Sequence, residues 1–193
     1  NMGHSEYIAG NHEKAVEYYT AAIKLDPDNF RAYYNRGNAY ALGLRNYKAA
    51  VQDFTKAIEI NPELAESYCN RGLSYDKLKE YTKAISDYTK AIEIEPNLVQ
   101  AYNGRGTAYY NLQKYTEAIP DFNKAIQIDP GFVYAYNGRG TTYEKTKEYS
   151  KALEDFTKVI ELDPALYSAY MHRGRVYVYG FKEYQKAIID YDK

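Results

Sequence analysis

The sequence has no tryptophan and a single cysteine, Cys69. A lone thiol excludes a disulfide framework within the chain and a cysteine-built metal site. The only histidines, His4, His12 and His172, are too scattered to suggest a metal set. Neither sign of charge dominates, since 25 Lys and Arg stand against 26 Asp and Glu for a net charge of −1. A nucleic-acid backbone as main partner needs a basic surface, so no nucleic acid is expected. No apolar run reaches membrane-spanning length and no charged-then-apolar leader opens the chain, so no membrane is expected. A reducing cytoplasm fits. A Gly-rich phosphate loop after a strand and a nucleophile–base arrangement are also missing. No catalytic residue, metal ligand or cofactor is therefore expected, and the chain is not expected to be an enzyme in itself. The stretch from Asn1 to Ser5 is given no functional weight.

What the sequence has is a period. Pro62, Pro96, Pro130 and Pro164 are 34 residues apart, and Pro27 lies 35 before Pro62. Tyrosine follows the same beat: Tyr33, Tyr68, Tyr102, Tyr136 and Tyr170 each stand six residues after a proline. Tyr40, Tyr75, Tyr109, Tyr143 and Tyr177 come seven later, and these rings are expected to pack in a core with the hydroxyl at its rim. A fixed period of this size means stacked helix pairs. Ala15, Tyr19, Ala22 and Ile23 share one face of a helix over 13–25, whose upstream partner is reduced to Glu6 to Ala9. Further pairs are expected at 30–42 and 48–60, 65–78 and 82–94, 99–112 and 116–128, 133–146 and 150–162, and 167–179 and 185–193. Thr82, Thr116 and Ser150 stand where helix N-caps are wanted, and Pro120 is expected in the first turn of its helix. The turns at Gly43 and Gly180 carry one extra residue.

The stretch YCNRGLSYDKLKEYTKAISDYTKAIEIEP, Tyr68 to Pro96, states the repeat most fully. Its Tyr68, Gly72, Tyr75, Ala84, Tyr88, Ala91 and Pro96 resemble the signature of the tetratricopeptide repeat family, with tyrosine for the signature tryptophan and Arg71 for leucine. The resemblance runs from about residue 6 to the end. It implies an all-α, right-handed superhelical solenoid of antiparallel helix pairs, one domain over 1–193. The divisions are a partial repeat at about 6–29, repeats 30–64, 65–98, 99–132 and 133–166, and a truncated repeat 167–193. It also implies that the first helices line a concave groove where a protein or extended peptide binds.

The arginine in place of leucine lies on the buried stripe, where an unpaired charge is costly. Arg36, Arg71, Arg105, Arg139 and Arg173 are each accompanied by an aspartate in the second helix: Asp53, Asp87, Asp121, Asp155 and Asp190. The earliest second helix, whose partner lacks the arginine, has Tyr18 there. Charge-assisted pairs inside the stack are expected.

A second stripe on the first helices is polar, uncharged in its middle and marked by asparagines. It holds Tyr34, Asn35, Asn38, Asn70, Asn103, Tyr110, Tyr134, Asn137 and Arg175. Amides can donate to and accept from a peptide backbone at once, as in the asparagine ladder of some relatives of this family. The other reading is a solvated helix surface. The lysines of the family's clamp for chaperone tails are missing, so that function is not expected. Gly104 and Gly138 imply a close approach, by a ligand or by the neighbouring helix. The expected function is a scaffold for protein–protein interaction. The alternatives are a self-associating assembly module, through the terminal faces around Val16, Ile23 and Ile188, and the substrate-recruiting domain of a larger enzyme.

Overall fold

Apolar residues at helical spacing, cut every 34 residues by an acidic residue or asparagine and a proline, give helices joined by short turns. The computed structural model describes residues 2–193. Its helices are α1 (Met2–Ile8), α2 (His12–Leu25), α3 (Phe30–Asn38), α4 (Tyr47–Ile60), α5 (Ala65–Lys77) and α6 (Tyr81–Ile94). Then follow α7 (Val99–Asn111), α8 (Tyr115–Ile128), α9 (Val133–Lys145), α10 (Tyr149–Leu162), α11 (Tyr167–Val176) and α12 (Tyr184–Tyr191). No strand occurs among the described residues. Two units result, one ending at Gly104 and one running from Arg105 to Lys193. In the first, α1 to α6 pack successively; in the second, α8 to α12 do so.

The helix α1 starts earlier than the sequence suggests. It includes Met2 to Ser5, and Gly3 packs so tightly on Tyr19 that an added Cβ would lie 2.9 Å from the ring. Asn1 lies outside the described residues. Every later pair repeats this contact: Gly37 meets Phe54, Gly72 meets Tyr88, Gly106 meets Phe122, Gly140 meets Phe156 and Gly174 meets Tyr191. The glycine lets the two helices of a pair close around an aromatic ring. Alanines fill the rest, as in the cluster of Ala41, Ala50 and Phe54 under Tyr34, Tyr40 and Tyr47.

Three of the turns within pairs share one hydrogen-bond pattern. In the turn after α5, Lys79 N–H donates to Asp76 O at 2.9 Å and Glu80 N–H donates to Tyr75 O at 2.8 Å. Lys79 takes the left-handed conformation, φ 62°, that this helix ending requires. Gln113 and Lys147 do the same after α7 and α9. The turns with an extra residue also hold a left-handed residue, Arg45 or Lys182, but reach it by another route. There the helix widens into one π turn, Ala39–Gly43 after α3 and Tyr177–Phe181 after α11. The closing bond then spans one residue more, Asn46 N–H to Tyr40 O and Glu183 N–H to Tyr177 O. Gly43 therefore sits inside the widened turn, where an added Cβ would strike the His12 ring at 2.3 Å.

Two local expectations fail. The second helices start one residue earlier than expected, so Thr82, Thr116 and Ser150 are second helical residues and not caps. The cap positions are Glu80, Lys114 and Glu148, without side-chain capping bonds, whereas Asn29 and Asn46 cap α3 and α4 through their amide oxygens. For the same reason Pro120 falls in the second turn of α8, where its missing N–H removes a helical hydrogen bond.

Candidate functional site

Each arginine on the buried stripe grips its aspartate with two parallel bonds. Arg71 Nε donates to Asp87 Oδ2 at 2.7 Å, and Nη2 donates to Oδ1 at 2.7 Å. The same fork joins Arg36 to Asp53, Arg105 to Asp121, Arg139 to Asp155 and Arg173 to Asp190. Planar, bidentate pairs of this kind are the strong charge-assisted bonds. A third donor reaches the preceding repeat: Arg36 Nη1 bonds Thr20 Oγ1, Arg71 bonds Thr55, Arg139 bonds Asn123 and Arg173 bonds Thr157. The guanidinium of Arg71 also lies over the Tyr68 ring, 5.6 Å from its centroid, and the same stacking joins Arg36 to Tyr33, Arg139 to Tyr136 and Arg173 to Tyr170. The ring at the signature position thus adds a cation–π contact to each of these arginines. Sequence reasoning missed the Thr and Asn partners, although they recur sixteen residues before each arginine.

Burial pushes the carboxyls of Asp87 and Asp155 up, against the pull of Arg71 and Arg139. Arg71, whose burial works against its charge, is held charged by Asp87. These pairs are interior struts and leave no group free to react with a substrate. No cluster of three or more His, Cys, Asp or Glu able to hold a metal occurs among the described residues.

The polar stripe divides between the units. In the first, Asn70 Nδ2 donates to Asn38 Oδ1 at 2.9 Å and to Tyr34 Oη at 3.3 Å. Asn38 and Asn70 are thus partly committed to each other, and Tyr34 leans on Phe54 with ring centroids 6.0 Å apart. Tyr34 and Asn35 line an open cavity of about 260 Å³ with Phe30, Arg31, Leu64 and Glu66. Phe30 and Leu64 escaped the sequence reading because they stand at the starts of their helices, Phe30 opening α3 and Leu64 just before α5, ahead of the stripe residues. Cys69, beside Asn70, points into the core; burial, helped by Glu66 and Glu95, pushes its thiol up to about 12. Asn103 sits half-buried on α7 beside Gly104.

In the second unit Tyr134 is 67% exposed and meets Phe132 edge to face. Asn137 is half-buried, with its Oδ1 away from solvent and unbonded. Tyr110 leans on Tyr115, and Arg175 bonds Glu144 Oε1 through Nη2 at 2.7 Å. The close approach implied by Gly104 and Gly138 is made by neighbouring helices. Added Cβ atoms would lie 2.3 Å from the Tyr88 ring and 2.5 Å from the Phe122 ring. Each of these rings is wedged between a glycine of its own repeat, Gly72 or Gly106, and one of the next. Removing the side chain there moves the asparagine one residue earlier, which accounts for the shifted register of Asn103 and Asn137.

The repeat geometry agrees with comparison to known proteins. A tetratricopeptide repeat family model matches residues 65–98, 99–132 and 133–166, and related repeat models match 30–64 and 3–43. The chain belongs to the tetratricopeptide repeat family. No curated protein matches it significantly. Among solved structures, MamA from its residue 41 to its end, from Desulfovibrio magneticus RS-1, is 25% identical with a TM-score of 0.78, over 86% of this chain and 93% of that one. A tetratricopeptide repeat protein from Parabacteroides merdae is 26% identical with a TM-score of 0.78, over 100% of this chain and 74% of that one. YrrB, a tetratricopeptide repeat protein with an unusual peptide-binding site, is 24% identical with a TM-score of 0.71, over 92% of this chain and 90% of YrrB; at that identity it shows the fold alone. As a tetratricopeptide repeat array the chain is a protein-interaction scaffold. No helix among the described residues is long and apolar enough to cross a membrane.

Proposed function

We propose that this scaffold holds an extended segment of a partner protein against the polar stripe of its first helices. The observation that carries the reading is the open cavity that brings Tyr34 and Asn35 together with Phe30, Arg31, Leu64 and Glu66. Such a recess takes an apolar side chain, while amides beside it reach the backbone on either side of it. Tyr34, Tyr110 and Tyr134 add flat contact area at low entropic cost. Asn35, Asn38, Asn70, Asn103 and Asn137 would supply the backbone contacts, with Asn38 and Asn70 acting as one bonded unit. The near-neutral charge favours protein over nucleic acid. A cytoplasmic setting belongs to the same proposal, since the single uncrosslinked thiol fits a reducing compartment.

The test takes a partner identified by affinity capture and measures its affinity by calorimetry. Each amide bond to a peptide contributes about 0.5–1.5 kcal/mol, so Asn70→Ala with Asn103→Ala weakens binding roughly tenfold. Unchanged affinity with the helical spectrum intact refutes the groove reading.

A second reading, self-association, has one observation in its favour. On α12, Ile188 and Ile189 are 50% and 61% exposed. The other end supports it less, because Val16 packs against Ala15, Tyr19 and Ala39 and Ile23 is half-buried. If this reading holds, Ile188→Glu with Ile189→Glu abolishes a concentration-dependent mass in light scattering; a monomer at all concentrations before substitution removes it.

A further inference from the structure

The features that recur in every repeat are explained by packing. One group of side chains does not recur. Glu144 of α9 is a carboxylate with only 9% of its side chain exposed, and both its oxygens are taken by α11. Nδ1 of His172 lies 3.0 Å from Oε2, and Arg175 Nη2 lies 2.7 Å from Oε1. The His172 ring is stacked flat on Phe156, centroids 5.1 Å apart and planes 13° apart. In earlier repeats the position of His172 holds Asn35, Asn70, Gly104 and Gly138, and the position of Arg175 holds Asn38, Leu73, Thr107 and Thr141. The position of Glu144 holds Ala41, Asp76 and Tyr110 in earlier repeats, so the carboxylate has a counterpart in Asp76 but its histidine and arginine have none, and closing a repeat does not require them.

The trio is also pre-set for a ligand. With both Glu144 oxygens occupied, the unspent groups around it are donors. Arg175 keeps Nε and Nη1, and its side chain is 44% exposed. The phenols of Tyr110 and Tyr191 are both raised, first by burial; Glu144 raises them further and Arg175 opposes, which puts both within electrostatic reach of the pair. Donors held in place by a buried counter-charge suit an acceptor that brings its own negative charge, because no reorganisation is needed when it arrives.

We propose that the second unit carries a carboxylate subsite: Arg175, held by Glu144 beside His172, receives the acidic side chain of an extended peptide. This rests on the groove reading and gives it a chemical preference. Glu144 and His172 are positioning residues, and Arg175 makes the contact.

The test uses the full chain, isotope-labelled, and three extended nonapeptides of otherwise identical sequence. The first is blocked at both ends with a central Glu; the second is blocked with a central Gln. The third has the central Gln and a free C-terminal carboxylate. The readouts are the Arg175 Nε–Hε resonance and the inner-face backbone amides. The Glu peptide is expected to move the Arg175 signal and to bind about tenfold tighter than the Gln peptide, since a bond to a charged group is the stronger kind. That preference shrinks as salt is raised. Arg175→Gln, a surface change, removes the preference while weak binding of the Gln peptide persists. Equal shifts from the Glu and Gln peptides overturn the subsite and leave the groove standing. An Arg175 response only to the free C-terminus also overturns it. No inner-face shift with any peptide overturns both.

Discussion

Asp87→Ala lowers the unfolding free energy by about 2–4 kcal/mol, read from the urea midpoint at unchanged slope. The Asp87 side chain is 8% exposed and takes two bonds from Arg71, whose own side chain is 16% exposed. Alanine leaves the guanidinium between the Tyr68 face and Thr55 with no counter-charge, and removing one partner of a buried pair costs more than the pair contributes. The partial exposure of Arg71 lets water enter and keeps the loss below the top of the usual range. A control separates this from lost packing. Arg71→Met with Asp87→Leu replaces both charges with apolar groups of similar size and recovers most of the stability. A loss under about 0.5 kcal/mol for Asp87→Ala would place the pair with surface bridges, which contribute little.

Gly138→Ala lowers the melting temperature, although the same change in an ordinary helix gains about 1 kcal/mol. The new methyl would lie 2.5 Å from Phe122 Cε1 and 2.6 Å from Cζ. The ring cannot retreat, since it is 1% exposed and rests on Gly106 from the other side. Overpacking of this kind costs about 1–3 kcal/mol. Gly104→Ala behaves alike against Tyr88, whose Cζ would be 2.3 Å away. The mechanism has its own check: combined with Phe122→Leu, Gly138→Ala costs less than the two losses added, because the smaller side chain frees the space. A higher melting temperature for Gly138→Ala alone would mean that the ring has room and the wedge is not what selects glycine.

The fold was legible because its determinants are periodic. Proline, glycine, the aromatic ring, arginine and aspartate recur at fixed offsets, and a residue repeated five times advertises a packing need. The local starts of helices were less legible. Thr82, Thr116 and Ser150 are good cap residues, but the helices begin with the half-buried Tyr81, Tyr115 and Tyr149. Asn1 to Ser5 was given no weight as a terminal stretch, yet Gly3 within it makes the repeat's glycine–ring contact with Tyr19. On the polar stripe the sequence shows which residues face one way but not which bond to each other. Asn38 and Asn70 are 32 residues apart and meet only once the helices stack. Arg175 stood on the stripe, but its link to Glu144 and His172 was hidden for a related reason: the three occupy different positions of the repeat, so no column of the pattern collects them.

The arginines also give the array a direction. Each holds its aspartate further along the chain, and Arg36, Arg71, Arg139 and Arg173 turn their third donor back to a side chain already made: Thr20, Thr55, Asn123 or Thr157. During synthesis a new helix pair therefore emerges beside a neighbour whose hydroxyl or amide is already present. Docking serves both: the newcomer's arginine gains its third bond, and its glycine covers a ring of the pair before, as Gly104 covers Tyr88 and Gly138 covers Phe122.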